Sequence, residues 1–176
     1  MRPVDADESA RPGEAPETYV CRVAALKASA IGQPPAESLV LGADTVVVVD
    51  GQRLGKPADR ADAADMLRRL SGKTHDVWTG IALVHPGGCI NEAVRTRVTF
   101  QTLPPDVIEW YVASGEPDDK AGAYAIQGLG SRFIEQIAGS YSNVVGLPVE
   151  RICTHLRRLA PRLLVPEKTA GLEPRV

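Results

Sequence analysis

Long apolar runs are missing from this chain. No stretch approaches the roughly 20 consecutive apolar residues needed to cross a bilayer, and no secretory core segment stands near the start, so the expected compartment is the cytoplasm. Cysteine is scarce: Cys21, Cys89 and Cys153 lie far apart, with no Cys-x-x-Cys pair, which excludes a zinc ribbon or a thioredoxin-like motif. Three buried, reduced thiols are the expectation. A charge of one sign is also absent. The net charge of −2 excludes a broad basic face for nucleic acid, although a few converging lysines could still serve one small anionic substrate. His75, His85 and His155 lack metal-ligand spacing and take no assigned role, and no internal repeat is visible.

What is present is ordinary for a globular protein. The 176 residues, 44% hydrophobic and 24% charged, suit one domain, or one domain with two lobes around a cleft. After a polar start containing the acidic residues Asp5, Asp7 and Glu8, the pattern predicts a helix from Ala15, with Pro16 in its first turn. Val20, Val23, Ala24 and Lys27 share one face, and Lys27 reads by itself as a lysine snorkelling at the helix end. Gly32 to Pro35 break the helix, and Leu39 to Val49 read as a strand buried on both faces, in which Gly42 could mark a bulge. Asp50-Gly51 signals a tight turn into a short return strand through Arg53 and Leu54.

A helix is predicted from about Arg60 to Leu70, then strands near His75 to Val84 and Cys89 to Thr102. Pro104-Pro105-Asp106 opens another helix. Gly122 to Gly130 has no assignment, Ser131 to Ile137 reads as a strand, and Pro148 starts a last helix with Val149, Ile152, Cys153 and Leu156 inward. Residues 161–176 read as a flexible tail. Strands interleaved with helices predict an α/β class with a mixed sheet.

Asp44 is the residue that stands out. A carboxylate in an otherwise apolar strand costs several kcal/mol unless it is paired, protonated or metal-bound. A cleft at that point would offset the cost; the alternative is an Asp satisfied by backbone amides at a strand irregularity. The predicted hairpin would return Gly55-Lys56-Pro57 alongside Asp44, placing a cation beside an acid, as phosphate chemistry requires. Gly55-Lys56-Pro57 is not a Walker A loop, because the spaced glycines and the Ser or Thr after the lysine are lacking. Asp118-Asp119-Lys120 reads as a polar turn.

In combination these segments resemble the Maf family. Its central signature is matched by Gly42-Ala43-Asp44-Thr45-Val46-Val47, Gly55-Lys56-Pro57 and Leu70-Ser71-Gly72-Lys73-Thr74-His75-Asp76-Val77-Trp78-Thr79-Gly80. Its C-terminal signature is matched by the stretch from Gly115-Glu116-Pro117 through Ala125-Ile126-Gln127-Gly128, and by Tyr141-Ser142-Asn143-Val144-Val145-Gly146-Leu147-Pro148.

The resemblance implies a Maf/inosine triphosphatase-like fold over residues 1–160, with flanking helices and two lobes around a cleft. It implies a metal-dependent hydrolase, using magnesium or manganese, that cuts a nucleoside triphosphate between the α and β phosphates. Asp44 then matches the catalytic acid/base position; Lys56, Lys27 and Glu8 match further site residues, and Asp44 or Glu8 could hold the metal. Thr45 and Gln127 resemble the dTTP/UTP branch, and Gln127 offers the donor and acceptor needed to read a pyrimidine edge. A homodimer is possible for such a protein.

The resemblance also implies a strand ending in Ser-x-Ser-Pro-Arg-Arg, which the sequence from Met1-Arg2-Pro3 onward does not contain. The expected reason is a start codon assigned too late, since losing a core strand would expose a sheet edge; a genuine truncation is the alternative. Two rival readings are a catalytically weak binding or regulatory protein, from the family's link with inhibition of septum formation, and an inosine triphosphatase-like enzyme.

Overall fold

The computed structural model describes residues 7–32, 34–35 and 38–164. Asp5 and the tail beyond residue 164 lie outside the described residues. The elements run α1 (Pro16–Ser29), β1 (Val40–Val49), β2 (Gln52–Leu54), α2 (Arg60–Leu70), β3 (Thr74–His85), β4 (Gly88–Phe100), α3 (Pro105–Ala113), β5 (Ile134–Ala138), α4 (Tyr141–Val145) and α5 (Val149–Leu159).

One five-stranded sheet, in the order β2-β1-β3-β4-β5, carries helices on both faces, and the α/β class holds. All four pairings are antiparallel where a mixed sheet was expected. The cause lies in the connections. Asp50-Gly51, both at positive φ, fold β1 back on β2, and Pro86-Gly87 fold β3 on β4, so two of the four pairs are tight hairpins.

Alternation along β1 sorts its side chains between two layers. Val47 and Val49 join the main core with Leu67 and Leu70 of α2, Phe100 of β4 and Tyr111 of α3. Val46 and Val48 face the other way and pack on Val20 of α1. Asp44 shares their parity and so faces α1; Thr45 shares the parity of Val47. The upper half of β1 is buried on both faces, as predicted, but Val40 to Thr45, apart from the buried Gly42, are more open.

Gly42 sits in regular register opposite Ala82, so it marks no bulge. Its reason is the helix above it: a Cβ there would lie 2.1 Å from the Ala24 carbonyl oxygen, and one at Gly80 would lie 2.2 Å from that of Val20. Two glycines on neighbouring strands thus let α1 settle directly on the sheet backbone. This close approach sets the height of Lys27 above Asp44.

Several expectations need correction. All three cysteines are free, but Cys89 is exposed at the hairpin end of β4, and Cys21 and Cys153 are only half-buried. Val149 is exposed because it stands in the first turn of α5, where Ile152 makes the inward contact; Cys153 and Leu156 are half-buried. Pro161–Leu163 form a further 3₁₀ turn after α5, and the rest of the expected tail, beyond residue 164, lies outside the described residues. The unassigned glycine-rich stretch becomes two 3₁₀ turns, Ala121–Ala123 and Leu129–Phe133, which delay the start of β5. Among the described residues, no helix is long and apolar enough to cross a membrane.

Candidate functional site

The site opens where β2 stops. β2 pairs only with Val47 to Val49, and among the described residues nothing else pairs with that edge of β1, so the strand is bare from Val46 back through Asp44. A cleft of about 780 Å³ lies along this edge. Glu8, Lys27, Asp44, Thr45, Lys56 and Gln127, drawn from five separate segments, all line it.

Its centre is an ion-pair chain. The Lys27 ammonium, in the last turn of α1, donates to Asp44 Oδ1 at 2.7 Å and lies 2.9 Å from Glu8 Oε1. Lys27 is therefore not a lysine merely reaching for solvent: its side chain is 27% exposed and joins two carboxylates. A helix C-terminus is a favourable place for that cation. The side chain of Asp44 is 9% exposed and that of Glu8 47%, so the chain runs from the cleft floor towards its mouth. Burial raises the Asp44 carboxyl above its ordinary range, outweighing the pull of Lys27. Burial lowers the Lys27 ammonium, but its bonds to Asp44 and Glu8 outweigh that and leave it raised.

Glu8 is placed by its neighbours' grip on the backbone. The Tyr19 hydroxyl donates to the Glu8 carbonyl at 3.0 Å, and Arg22 donates to that of Ser9 at 3.0 Å. Arg22 also clamps Glu14 with two bonds of 2.7 Å, tying the approach to α1 against the helix itself.

Lys56 follows the hairpin as expected. Its loop is bolted down by the Gly122 N–H, which donates to the Gly55 carbonyl at 2.9 Å. The ammonium lies close enough to Asp44 to oppose the raising of its pKa. Thr45, on the opposite parity, shares a 2.9 Å hydroxyl contact with Thr79 and reaches the Gly146 carbonyl at 3.5 Å. Thr79 in turn donates to the Asn143 carbonyl at 3.1 Å, so this network seats α4 as one wall of the cleft. Gln127 is exposed on the far wall.

Apart from Gln127, sequence reasoning passed over the residues of that far wall. Glu116, Asp119 and Lys120 line the cleft as well, and Asp119 pairs with Lys120. Asp118-Asp119-Lys120 is thus more than a polar turn. The signal was faint: Gly115 at positive φ launches the 3₁₀ turn Glu116–Asp119, and its destination depends on the whole fold.

Among the described residues, no three His, Cys, Asp or Glu side chains converge as a ready-made metal cage. Asp44 and Glu8, both within 2.9 Å of one ammonium, form a pair of carboxylates on one side of the cleft. Such a pair suits magnesium or manganese chemistry, in which one or two carboxylates share the ion with substrate phosphates and water. The arrangement can neutralise polyphosphate, orient a water beside Asp44 and present an amide to a base.

Comparisons with known proteins find one family model and several curated relatives. The family model described as "Maf-like protein" matches residues 1–159. A dTTP/UTP pyrophosphatase of Syntrophus aciditrophicus (strain SB) is 47% identical over 157 residues, covering 88% of this chain and 77% of the relative. One from Pseudoalteromonas translucida (strain TAC 125) is 53% identical over 147 residues, covering 83% and 78%. One from Anaeromyxobacter dehalogenans (strain 2CP-C) is 49% identical over 162 residues, covering 90% and 81%.

Proposed function

The chain belongs to the Maf family, and on that premise we propose that it hydrolyses dTTP and UTP to the monophosphate and pyrophosphate. It is a nucleoside triphosphate pyrophosphatase. The observation that carries the site assignment is the Lys27 ammonium held between Asp44 and Glu8 at the base of a cleft that also presents Lys56.

A triphosphate brings about four negative charges near neutral pH, and catalysis needs that charge cancelled where it builds up on the leaving pyrophosphate. Lys27 and Lys56 supply fixed positive charge on two sides of the bare β1 edge. Asp44 orients the attacking water and accepts its proton, while Lys27 holds the carboxylate in place. Asp44 and Glu8 would hold a magnesium or manganese ion, which adds charge cancellation on the phosphate oxygens when bound. Gln127 reads the pyrimidine edge, and Thr45 fixes the α4 wall against which the nucleotide lies. The cytoplasm is the compartment proposed for this activity. A homodimer fits the exposed Tyr141 and Val149, and sedimentation velocity tests it.

The direct test is pyrophosphate release from dTTP, UTP and purine triphosphates with magnesium or manganese. Asp44→Asn is expected to lower kcat by about 10²–10⁴-fold, the usual worth of a positioned base, with unchanged circular dichroism. Full activity in that variant would remove Asp44 from the mechanism. A wild-type preference for purine triphosphates would overturn the substrate assignment.

A further inference from the structure

The loop that carries Gln127 is pinned from behind by a single carboxylate. Glu116 Oε2 accepts the backbone N–H of Leu129 at 2.8 Å, and Oε1 accepts that of Gly130 at 2.9 Å. The Tyr111 hydroxyl donates to the same Oε1 at 2.8 Å and accepts the Ala125 N–H at 3.1 Å. Both ends of the segment 125–130 are therefore tied to one pair of side chains, and Tyr111 is fully buried in the main core.

The contact is close as well as bonded. A Cβ on Gly128 would lie 2.1 Å from Glu116 Oε2, so the loop passes directly over the carboxylate. Burial raises the Glu116 carboxyl, but the N–H groups of Gly130 and Leu129 and the Tyr111 hydroxyl outweigh that and hold it below its usual range. An ionised acceptor with three donors is a strong anchor, because charge-assisted bonds are about twice as strong as neutral ones.

Gln127 sits between the two anchors with its side chain exposed to the cleft. UTP and CTP differ only on the base edge: uracil shows a carbonyl acceptor where cytosine shows an amino donor. A glutamine amide can meet either pattern by turning over, so the amide alone does not choose. Choosing one pattern requires the amide to be held in one orientation, which needs the backbone beneath it fixed relative to the base.

We propose that Glu116 is a positioning residue for base selectivity, fixing the backbone from Ala125 to Gly130 so that the Gln127 amide meets one pyrimidine edge. This rests on the reading of Gln127 given above. Glu116 lines the cleft, but both its oxygens are taken up by Tyr111 and the loop, and it acts through the loop.

The test compares kcat/KM for UTP and CTP in four full-length proteins: wild type, Glu116→Gln, Gln127→Ala and the double variant. Glutamine keeps the shape of Glu116 but turns an NH₂ towards one of the two backbone N–H donors, so one anchor is lost. The UTP-over-CTP ratio is expected to fall about tenfold in Glu116→Gln, mainly through KM for UTP, with kcat within about twofold. The double variant is expected to be no less selective than Gln127→Ala. Gly128→Ala, which disturbs the same contact from the loop side, is expected to reproduce the loss if Glu116→Gln does not fold. An equal drop for UTP and CTP, or additive losses of selectivity in the double variant, would overturn the proposal while leaving Gln127 in place. An unchanged ratio in Gln127→Ala would instead overturn the reading of Gln127 itself.

Discussion

Acid should destabilise the fold through His75, a neutral ring buried in the core. The ring is 2% exposed, between the main core and the cleft wall, and stacks edge-on against Phe100 at 4.9 Å and Tyr124 at 5.5 Å. Its Nε2 contacts the Tyr124 hydroxyl at 2.9 Å, and its buried Nδ1 has no hydrogen-bond partner among the described residues. Burial pushes the imidazole down to about 4 from its ordinary 6.5. Above pH 6.5 folded and unfolded chains both carry a neutral ring, and His75 adds no pH dependence. As pH falls from 6.5 towards 4 the unfolded chain binds a proton that the folded chain refuses, so stability is lost. A gap of about 2.5 units at 1.36 kcal/mol each limits the loss to about 3 kcal/mol, with about 2 kcal/mol gone by pH 5. Urea unfolding at pH 7 and pH 5, in wild type and His75→Gln, measures it. Glutamine stays neutral and can still meet the Tyr124 hydroxyl, so the variant should lose about 2 kcal/mol less than wild type over this interval. Carboxylates common to the two proteins cancel in the comparison, and Glu14, held at about 2 by the Arg22 guanidinium, stays ionised throughout the interval. Equal losses in the two proteins would refute the reasoning.

Lys27→Met should fold, since methionine fills the same space, but it leaves Asp44 and Glu8 facing each other without a cation; kcat/KM for UTP is expected to fall about 10²–10³-fold in a pyrophosphate-release assay. Gly80→Ala forces a Cβ to within 2.2 Å of the Val20 carbonyl oxygen and must lift α1 from the sheet. It should cost about 1–3 kcal/mol in urea unfolding and lower activity too, because Lys27 rides on α1; an unchanged midpoint would show that the helix is not seated as described.

The sequence by itself determined most of the long elements and the family. A β-branched run bounded by Asp50-Gly51 read as a strand entering a hairpin, and a carboxylate inside it called for a cleft, a partner or backbone amides to satisfy it. The Lys56 loop followed from that hairpin alone. Tertiary structure decided the rest. Lys27 could not be told from a snorkelling lysine until α1 was set against β1, and the glycines that allow that approach, Gly42 and Gly80, stand 38 residues apart. The antiparallel direction of the two pairings made without a tight hairpin, β1 with β3 and β4 with β5, was likewise hidden, because it depends on how whole connections pack and not on strand propensity. Glu116 shows the limit most clearly: its bonds to Leu129 and Gly130 span 13 and 14 residues through two 3₁₀ turns with no periodic signal. Periodicity reports which face of an element is buried. Which buried or half-buried charges meet across the cleft is set by packing between elements, and only the folded chain contains that information.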